Sequence, residues 1–280
     1  MRITEHIFYG LQNFMKTRIH AAWEMLILGS LEHRVYRSMQ FLISTAELHK
    51  KTFAPFRNIN IGKDVAIIAC GPSVNDYQPI SGTVNIGVNR AIYFDKIKYD
   101  YFFIEDMPPE LRSDPNFIDK VRNYDCTKFY GLTNVEDPHS QYFPTNPPET
   151  ELLLSHALRY RHDMGTSIQG YEPRITYDLS TEPLGCLGSV VMCAIQFAMW
   201  TNPRRLFLVG CDCTSANHFY GKDGNTNLDL KKLIKAYREL KDFASCYYPD
   251  TEIISVNPVG LKGLFKDWYQ ANGPLEQCKS

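Results

Sequence analysis

The run Val65-Ala66-Ile67-Ile68-Ala69-Cys70, closed at once by Gly71-Pro72-Ser73, constrains this chain more than any other feature. A short, continuous, β-branched stretch without polar alternation fits a strand covered on both faces, as in a parallel sheet flanked by helices. Comparable runs recur at 84–89 (VNIGVN), 99–106 (YDYFFIED), 126–132 (CTKFYGL), 204–212 (RRLFLVGCD) and 251–258 (TEIISVNP). Helical periodicity intervenes at about 187–201 and 229–246. Strands alternating with helices predict parallel βαβ units. The expected class is therefore α/β, a Rossmann-like, doubly wound, mostly parallel sheet.

Two regions stand apart from this pattern. In residues 1–58, apolar residues recur at three and four (Ile3, Ile7, Leu11, Phe14; Met25, Leu28, Leu31, Tyr36, Met39, Ile43), which predicts an N-terminal extension of amphipathic helices. Basic residues Lys16, Arg18, Arg34, Arg37, Lys50 and Lys51 are interspersed. Such helices suit packing on the body of the protein, self-association, or peripheral contact with a membrane. The remainder, 59–280, is expected to be one nucleotide-binding domain. Within it, the stretch from Met107 to Pro183 is rich in Pro, Asn, Asp and Tyr and poorly periodic, and is read as long loops with some helix covering the site. No internal repeat or low-complexity tract is visible.

Charge and cysteine usage narrow the functions. With 30 Lys+Arg against 31 Asp+Glu among 280 residues, the chain lacks the positive field that nucleic-acid binding requires. Eight cysteines are scattered through the sequence. Cys70 and Cys193 sit in apolar runs, where a thiol behaves as a small hydrophobe. Cys211 and Cys213 form a C-x-C pair with no second pair at zinc-site spacing. Reduced thiols and no metal ligands are expected. His20 and Glu24 interrupt the early apolar stretch, no cleavage site follows, and no run reaches the length of a spanning helix. A cytoplasmic protein, at most peripheral on the inner face of the membrane, is expected.

In open α/β sheets, ligands bind beyond the carboxyl ends of the strands. After the first strand come Gly71, Pro72 and Ser73; the glycine allows close backbone approach, and Ser73 offers a hydroxyl and a cap for a following helix, whose N–H groups suit an anion. This turn is neither G-x-G-x-x-G nor a P-loop. The second strand ends in Asn89, an amide able to read a base, ribose or sugar. The third ends in Glu105-Asp106, which could hold a divalent metal on a diphosphate or bond sugar hydroxyls. Gly188 and Ser189 open an apolar helix with free N–H groups. Gly210, Cys211 and Asp212 follow the strand at 204–209, and the polar segment beyond carries His218 and Tyr220. His218 is the leading candidate base, since an imidazole with an unperturbed pKa of about 6.5 can take up a proton at neutral pH. His139, His156 and His162 compete for that role.

The segments ACGPSVND, GVNRAIYF and LGCLGSVVMCAIQFAMWTNPRRLFLVGCDCT, with HFYG beyond them, resemble bacterial sialyltransferases of glycosyltransferase family 42. They are also similar to lipopolysaccharide-core Kdo transferases and to the domain-of-unknown-function 115 group, which includes 6-hydroxymethylpterin diphosphokinase-like enzymes. The resemblance covers about 63–258. It implies a GT-A-like Rossmann variant, a CMP-activated acidic sugar as donor, a bacterial glycan or glycolipid acceptor, and transfer without a metal. Gly71, Ser73 and Asn89 would then lie along nucleotide and donor sugar, and Gly188 and Ser189 would meet its carboxylate or phosphate. Gly210, Cys211 and Asp212 would line the cytidine, His218 would act as base, and Tyr220 would steady the departing phosphate. Ala69-Cys70 replaces the family's Gly-Asn before the Gly-Pro-Ser turn. Its arginine ahead of the helix start is absent from Thr181-Glu182-Pro183-Leu184, and the segment around His218 is shorter than its lid. Kdo or another sugar is thus as open as sialic acid. Two alternatives stand beside this reading: a Mg-dependent diphosphokinase using Glu105 and Asp106, and a non-catalytic nucleotide-sugar-binding scaffold.

Overall fold

The computed structural model describes residues 43–105, 115–133, 153–154, 156–163, 174–214, 217–221 and 229–272. Among these, nine strands form one all-parallel sheet: β1 (Asp64–Ile68), β2 (Val84–Val88), β3 (Tyr101–Ile104), β4 (Thr127–Thr133), β5 (Leu158–Asp163), β6 (Leu184–Gly185), β7 (Arg205–Val209), β8 (Glu252–Val256) and β9 (Lys266–Asp267). Their order is β6-β5-β4-β3-β2-β1-β7-β8-β9. The chain therefore winds outward from β1 in one direction, returns, and continues from the other side of β1 with β7. That reversal makes the β1/β7 boundary the topological switch point, where an open sheet leaves a crevice at its carboxyl edge.

Side-chain alternation divides the core into two layers. Val65, Ile67, Ala69, Ile86, Val88, Phe103, Phe129, Tyr160, Leu206 and Leu208 face one way; Ala66, Ile68, Phe102, Ile104, Tyr130, Phe207, Val209, Ile254 and Val256 face the other. The first face carries α1 (residues 43–53), α3 (Val190–Trp200) and α4 (Leu230–Tyr247). The second carries α2 (Pro115–Asn123) and α5 (Trp268–Asn272), with the 3₁₀ turns Pro72–Asp76 and Asn89–Tyr93. All eleven residues of α3 are buried, in keeping with a helix apolar on every side but for Gln196, whose amide bonds Thr176 N and the Gly185 backbone. The doubly wound expectation holds, and the sheet is wholly parallel.

Several features differ from the sequence reading. Strand β5 falls in the stretch read as long loops with some helix, whereas α2 is helix within it, as that reading allowed. In β5, Leu158, Tyr160 and His162 alternate with Arg159 and Arg161, a half-buried rather than a continuous apolar pattern. In α2, only Phe117 and Val121 reach the core, a single i, i+4 pair in a short segment. The Gly-Pro-Ser turn does not open an α-helix; Pro72–Asp76 is one 3₁₀ turn with no side-chain cap.

Helix α1 belongs to the packed body. Phe53 is fully buried against Phe129 and Tyr160, its carbonyl accepts from Trp200 Nε1 at 2.9 Å, and Thr52 Oγ1 donates to the Arg159 carbonyl at 2.7 Å. The expected helices of residues 1–42 lie outside the described residues. At the amino ends of the strands, Asp64 accepts from Arg204 and Arg205, and Arg205 above all holds its carboxyl below the usual carboxylate range. No helix among the described residues is long and apolar enough to cross a membrane.

Candidate functional site

The loops after β1 and β7 are fastened to one another. Gly71 N donates to the Gly210 carbonyl at 2.8 Å and Ala69 N to the Val209 carbonyl at 2.9 Å, prolonging the β1/β7 pairing past the sheet. Beyond this, Ser73 N donates to Asp212 Oδ2 at 2.9 Å, and Ser73 Oγ donates to Asp212 Oδ1. Asp212 is 4% exposed, so its carboxylate is matched to one neighbouring turn rather than dispersed in solvent. The Asp212 carbonyl in turn accepts from Gly260 N at 2.7 Å, drawing in the loop after β8.

Two glycines permit this closeness. A Cβ on Gly71 would fall on the Gly210 carbonyl oxygen and lie 2.5 Å from Asp212 Oδ2. Gly210 itself has φ +66, and a Cβ there would lie 2.8 Å from the Ala69 carbonyl oxygen. Pro72 begins the turn. Cys211 contributes only backbone here, because its buried thiol packs against Tyr237, and burial pushes that thiol far above its ordinary value.

The turn carrying His218 and Tyr220 sits over this floor. Phe219 N donates to the Cys70 carbonyl at 3.1 Å, and the Phe219 ring meets Phe94 edge-on at 6.2 Å. His218 and Gly221 form a bridge, and the rings of His218 and Tyr220 stack with centroids 5.2 Å apart. Tyr220 also lies 6.1 Å from Tyr93 and beneath the Arg90 guanidinium at 5.4 Å, a cation–π arrangement. Arg90 follows Asn89, whose φ of 43 turns the chain sharply at the end of β2; Asn89 Oδ1 accepts from Glu105 N at 3.1 Å. The structure thus assembles Gly71, Pro72, Ser73, Asn89, Gly210, Asp212, His218 and Tyr220 around the switch point.

Glu105 belongs to a second cluster. Its carboxylate accepts from the Tyr160 hydroxyl at 2.6 Å and from the Cys186 thiol at 3.2 Å, and His162 Nδ1 stands 3.8 Å from Oε2. All of these side chains are buried. Burial and the adjacent carboxylate push the Tyr160 phenol well above its ordinary value, keeping it a proton donor. Glu105 is thus buried in this cluster rather than presented with Asp106 to a diphosphate-bound metal or to sugar hydroxyls, and Asp106 lies outside the described residues. Gly188 and Ser189 follow Cys186. Leu187 and Gly188 have φ of 50 and 90, a backbone corner that delivers Ser189 as N-cap of α3, its hydroxyl accepting from Val191 N at 3.3 Å. One of the free N–H groups expected at this helix start is thus already satisfied.

Sequence reasoning did not group Tyr160, His162 and Cys186 with Glu105. The alternation in β5 was the available signal; their meeting depends on the strand order β6-β5-β4-β3. A cavity of about 210 Å³ lies elsewhere, lined by Arg57, Tyr177, Trp200, Tyr247 and Tyr248. Arg57, Trp200, Tyr247 and Tyr248 directly precede β1, β7 and β8, at the amino ends of the strands and opposite the edge where open sheets bind ligands.

Fold and site together define a parallel α/β protein whose switch point between β1 and β7 carries a Gly-Pro-Ser turn. No protein-family model and no curated protein matches the chain. Among solved structures, it is similar to the MAf glycosyltransferase of Magnetospirillum magneticum AMB-1, with 14% identity over 82% of this chain and 39% of that one, TM-score 0.48. It is also similar to the sialyltransferase CST-II in complex with a trisaccharide acceptor and CMP, at 15% identity over 69% and 80% of the two chains, TM-score 0.40. Campylobacter jejuni CstII in complex with CMP-3FNeuAc gives 16% identity over 73% and 84%, TM-score 0.39. The chain thus spans well under half the length of the Magnetospirillum protein. These are likenesses of chain path, and the functional reading rests on the site.

Proposed function

We propose that this protein is a glycosyltransferase that moves an acidic sugar, sialic acid or Kdo, from a CMP-activated donor to a glycan or glycolipid acceptor. The observation that carries this reading is the juxtaposition of the latched Gly71–Ser73 and Gly210–Asp212 loops with the His218–Tyr220 turn tied down by Phe219 N to the Cys70 carbonyl. A switch-point crevice takes a nucleotide, and the overlying turn brings a base and a hydroxyl to the same place.

The chemistry asks for little else. As the CMP–sugar bond breaks, positive charge develops at the anomeric carbon and negative charge on the departing phosphate, and catalysis comes from groups aimed at those charges. Tyr220 offers a hydroxyl to the phosphate, while Asn89 and the backbone beside Gly71 line the nucleotide and sugar. His218 takes the acceptor hydroxyl's proton as that oxygen bonds to the anomeric carbon. Asp212 holds Ser73 and the turn in register rather than touching the reacting atoms. Cytidine monophosphate leaves with a single phosphate, so no diphosphate requires a chelating cation, and we assign the transfer no cofactor. Gly188 and Ser189, at the start of α3, are assigned to the donor's carboxylate. Peripheral membrane contact or self-association is proposed for the basic N-terminal sequence, consistent with cytoplasmic synthesis of a bacterial surface glycolipid.

Release of CMP from CMP-sialic acid or CMP-Kdo, followed chromatographically with glycan and glycolipid acceptors, tests the proposal. Acceptor-dependent CMP release with the sugar recovered on the acceptor supports it; pyrophosphoryl transfer from ATP to a pterin alcohol would replace it.

A further inference from the structure

The buried cluster at the carboxyl ends of β3, β5 and β6 has no part in the transfer chemistry, yet its composition is that of a coordination sphere. We propose that Glu105, His162 and Cys186 bind one divalent transition-metal ion of the zinc class. One sulfur, one nitrogen and one oxygen donor lie within 4.8 Å of one another. Strand alternation puts them on one layer: Phe103 and Phe129 face α3, so Glu105 and Gly131 two residues on face it too, as do Tyr160 and His162 in β5. Cys186 arrives on that layer directly from β6.

Room and orientation are provided. A Cβ on Gly131 would lie 2.6 Å from Glu105 Cγ and 3.0 Å from the His162 ring; glycine there lets carboxylate and imidazole approach. Tyr160 fixes Glu105 Oε1, leaving Oε2 beside Cys186 and His162, the arrangement by which an outer hydroxyl orients a ligating carboxylate. On α3, the buried Cys193 belongs to the same core layer as Cys186.

Chemistry selects the ion. Ca²⁺ and Mg²⁺ prefer sets of oxygen ligands, whereas thiolate with imidazole suits zinc and its neighbours. A dication with the Cys186 thiolate, the Glu105 carboxylate and neutral His162 sums to zero charge, which suits a fully buried site. Binding forms the metal–sulfur bond and releases the Cys186 thiol proton to solvent, with no change of oxidation state. This ion ties β3, β5 and β6 together, and its binding is independent of nucleotide.

The test is a Co²⁺ titration of the full chain after chelator treatment and dialysis, read by absorption, with Zn²⁺ as competitor and circular dichroism as the check on folding. The expected result is one Co²⁺ per chain, with thiolate charge-transfer bands and tetrahedral d–d bands that Zn²⁺ abolishes. Cys186→Ser removes the charge-transfer band, and Cys246→Ser, at an exposed cysteine on α4, leaves it unchanged. Tyr160→Phe, which removes the orienting hydroxyl, weakens binding by about 10–100-fold, and Glu105→Gln, which replaces a ligating carboxylate with the same shape, weakens it at least as much. Absence of a thiolate band in folded wild type, or the same band and affinity in Cys186→Ser or in both conservative variants, overturns the proposal. These readouts involve neither nucleotide nor sugar transfer, so the site stands or falls separately from the enzyme's reaction.

Discussion

Ser73 reaches Asp212 through both its amide, at 2.9 Å, and its hydroxyl, and this one residue pair joins the loops of two strands that lie on opposite sides of the switch point. The carboxylate is buried, so the latch works as a rigid brace for the crevice floor. Asp212→Ala leaves the Ser73 amide and hydroxyl buried without their acceptor, and hydrogen bonds to a charged group contribute about 1.5–3 kcal/mol each. We expect a loss of about 2–4 kcal/mol in urea unfolding and, in the folded fraction, CMP affinity lowered more than tenfold. Ser73→Ala, which removes only the hydroxyl, should cost about half as much. Equal, negligible effects of both substitutions would exclude the brace.

Gly71→Ala acts on the same floor sterically. Its Cβ would collide with the Gly210 carbonyl and Asp212 Oδ2, backbone and braced side chain that have little freedom to yield. Overpacking of this kind costs about 1–3 kcal/mol, and the expected signature is weakened CMP binding with turnover reduced in parallel. Gly62→Ala supplies the contrast: Gly62 has φ +75 whereas Gly71 has φ −65, and a Cβ on Gly62 meets nothing within 4 Å, so stability should fall by about 1 kcal/mol with CMP binding unchanged.

His49 predicts how stability changes with pH. Its Nδ1 donates to the Leu179 carbonyl at 3.0 Å, and its Nε2 accepts from Arg161 N at 2.8 Å. Only the neutral ring satisfies both contacts, and burial, the dominant cause, brings its pKa down from 6.5 to about 4. The unfolded chain therefore binds a proton between those values while the folded chain does not. Stability is then unaffected by this group above about pH 6.5 and falls as pH drops toward 4, by up to about 3 kcal/mol. Urea midpoints measured from pH 7.5 to 4.5 should decline accordingly, with a shallower slope in His49→Gln; identical slopes would remove His49 as the cause.

For His218, the proposed proton transfer sets a kinetic expectation. His218→Ala should lower turnover by about a hundredfold or more, with CMP binding nearly intact. Tyr220→Phe keeps the ring that stacks on His218 and lies under Arg90 and should reduce turnover less than His218→Ala does. A wild-type rate in His218→Ala would take His218 out of the reaction.

The sequence exposed the central sheet well because β1, β3 and β7 are covered on both faces and read as nearly continuous apolar runs, while β2 and β8 keep enough apolar residues around Asn85 and Ser255 to read as strands. It exposed strand ends for the same reason: Gly71, Asn89 and Gly210 mark where each run stops. Pairing was another matter. Ser73 and Asp212 are 139 residues apart, and only the placement of β7 beside β1 makes them partners. Strand β5 hid behind Arg159 and Arg161, whose outward charges mask an inward row of Leu158, Tyr160 and His162. Without β5, nothing in the sequence linked His162 to Glu105 or Cys186. The helix expected after Ser73 fails because the backbone there is spent on reaching Asp212 and closing a 3₁₀ turn, leaving the longer helix to follow Ser189.

The most direct measurement is the thermal stability of the purified chain with CMP, CDP, UDP, GDP and ATP, each with and without Mg²⁺, since a ligand that binds only the native state raises its apparent stability. The account predicts stabilisation by CMP without added Mg²⁺, lost in the folded Asp212→Ala variant. No response to CMP, together with stabilisation by ATP only when Mg²⁺ is present, would contradict it.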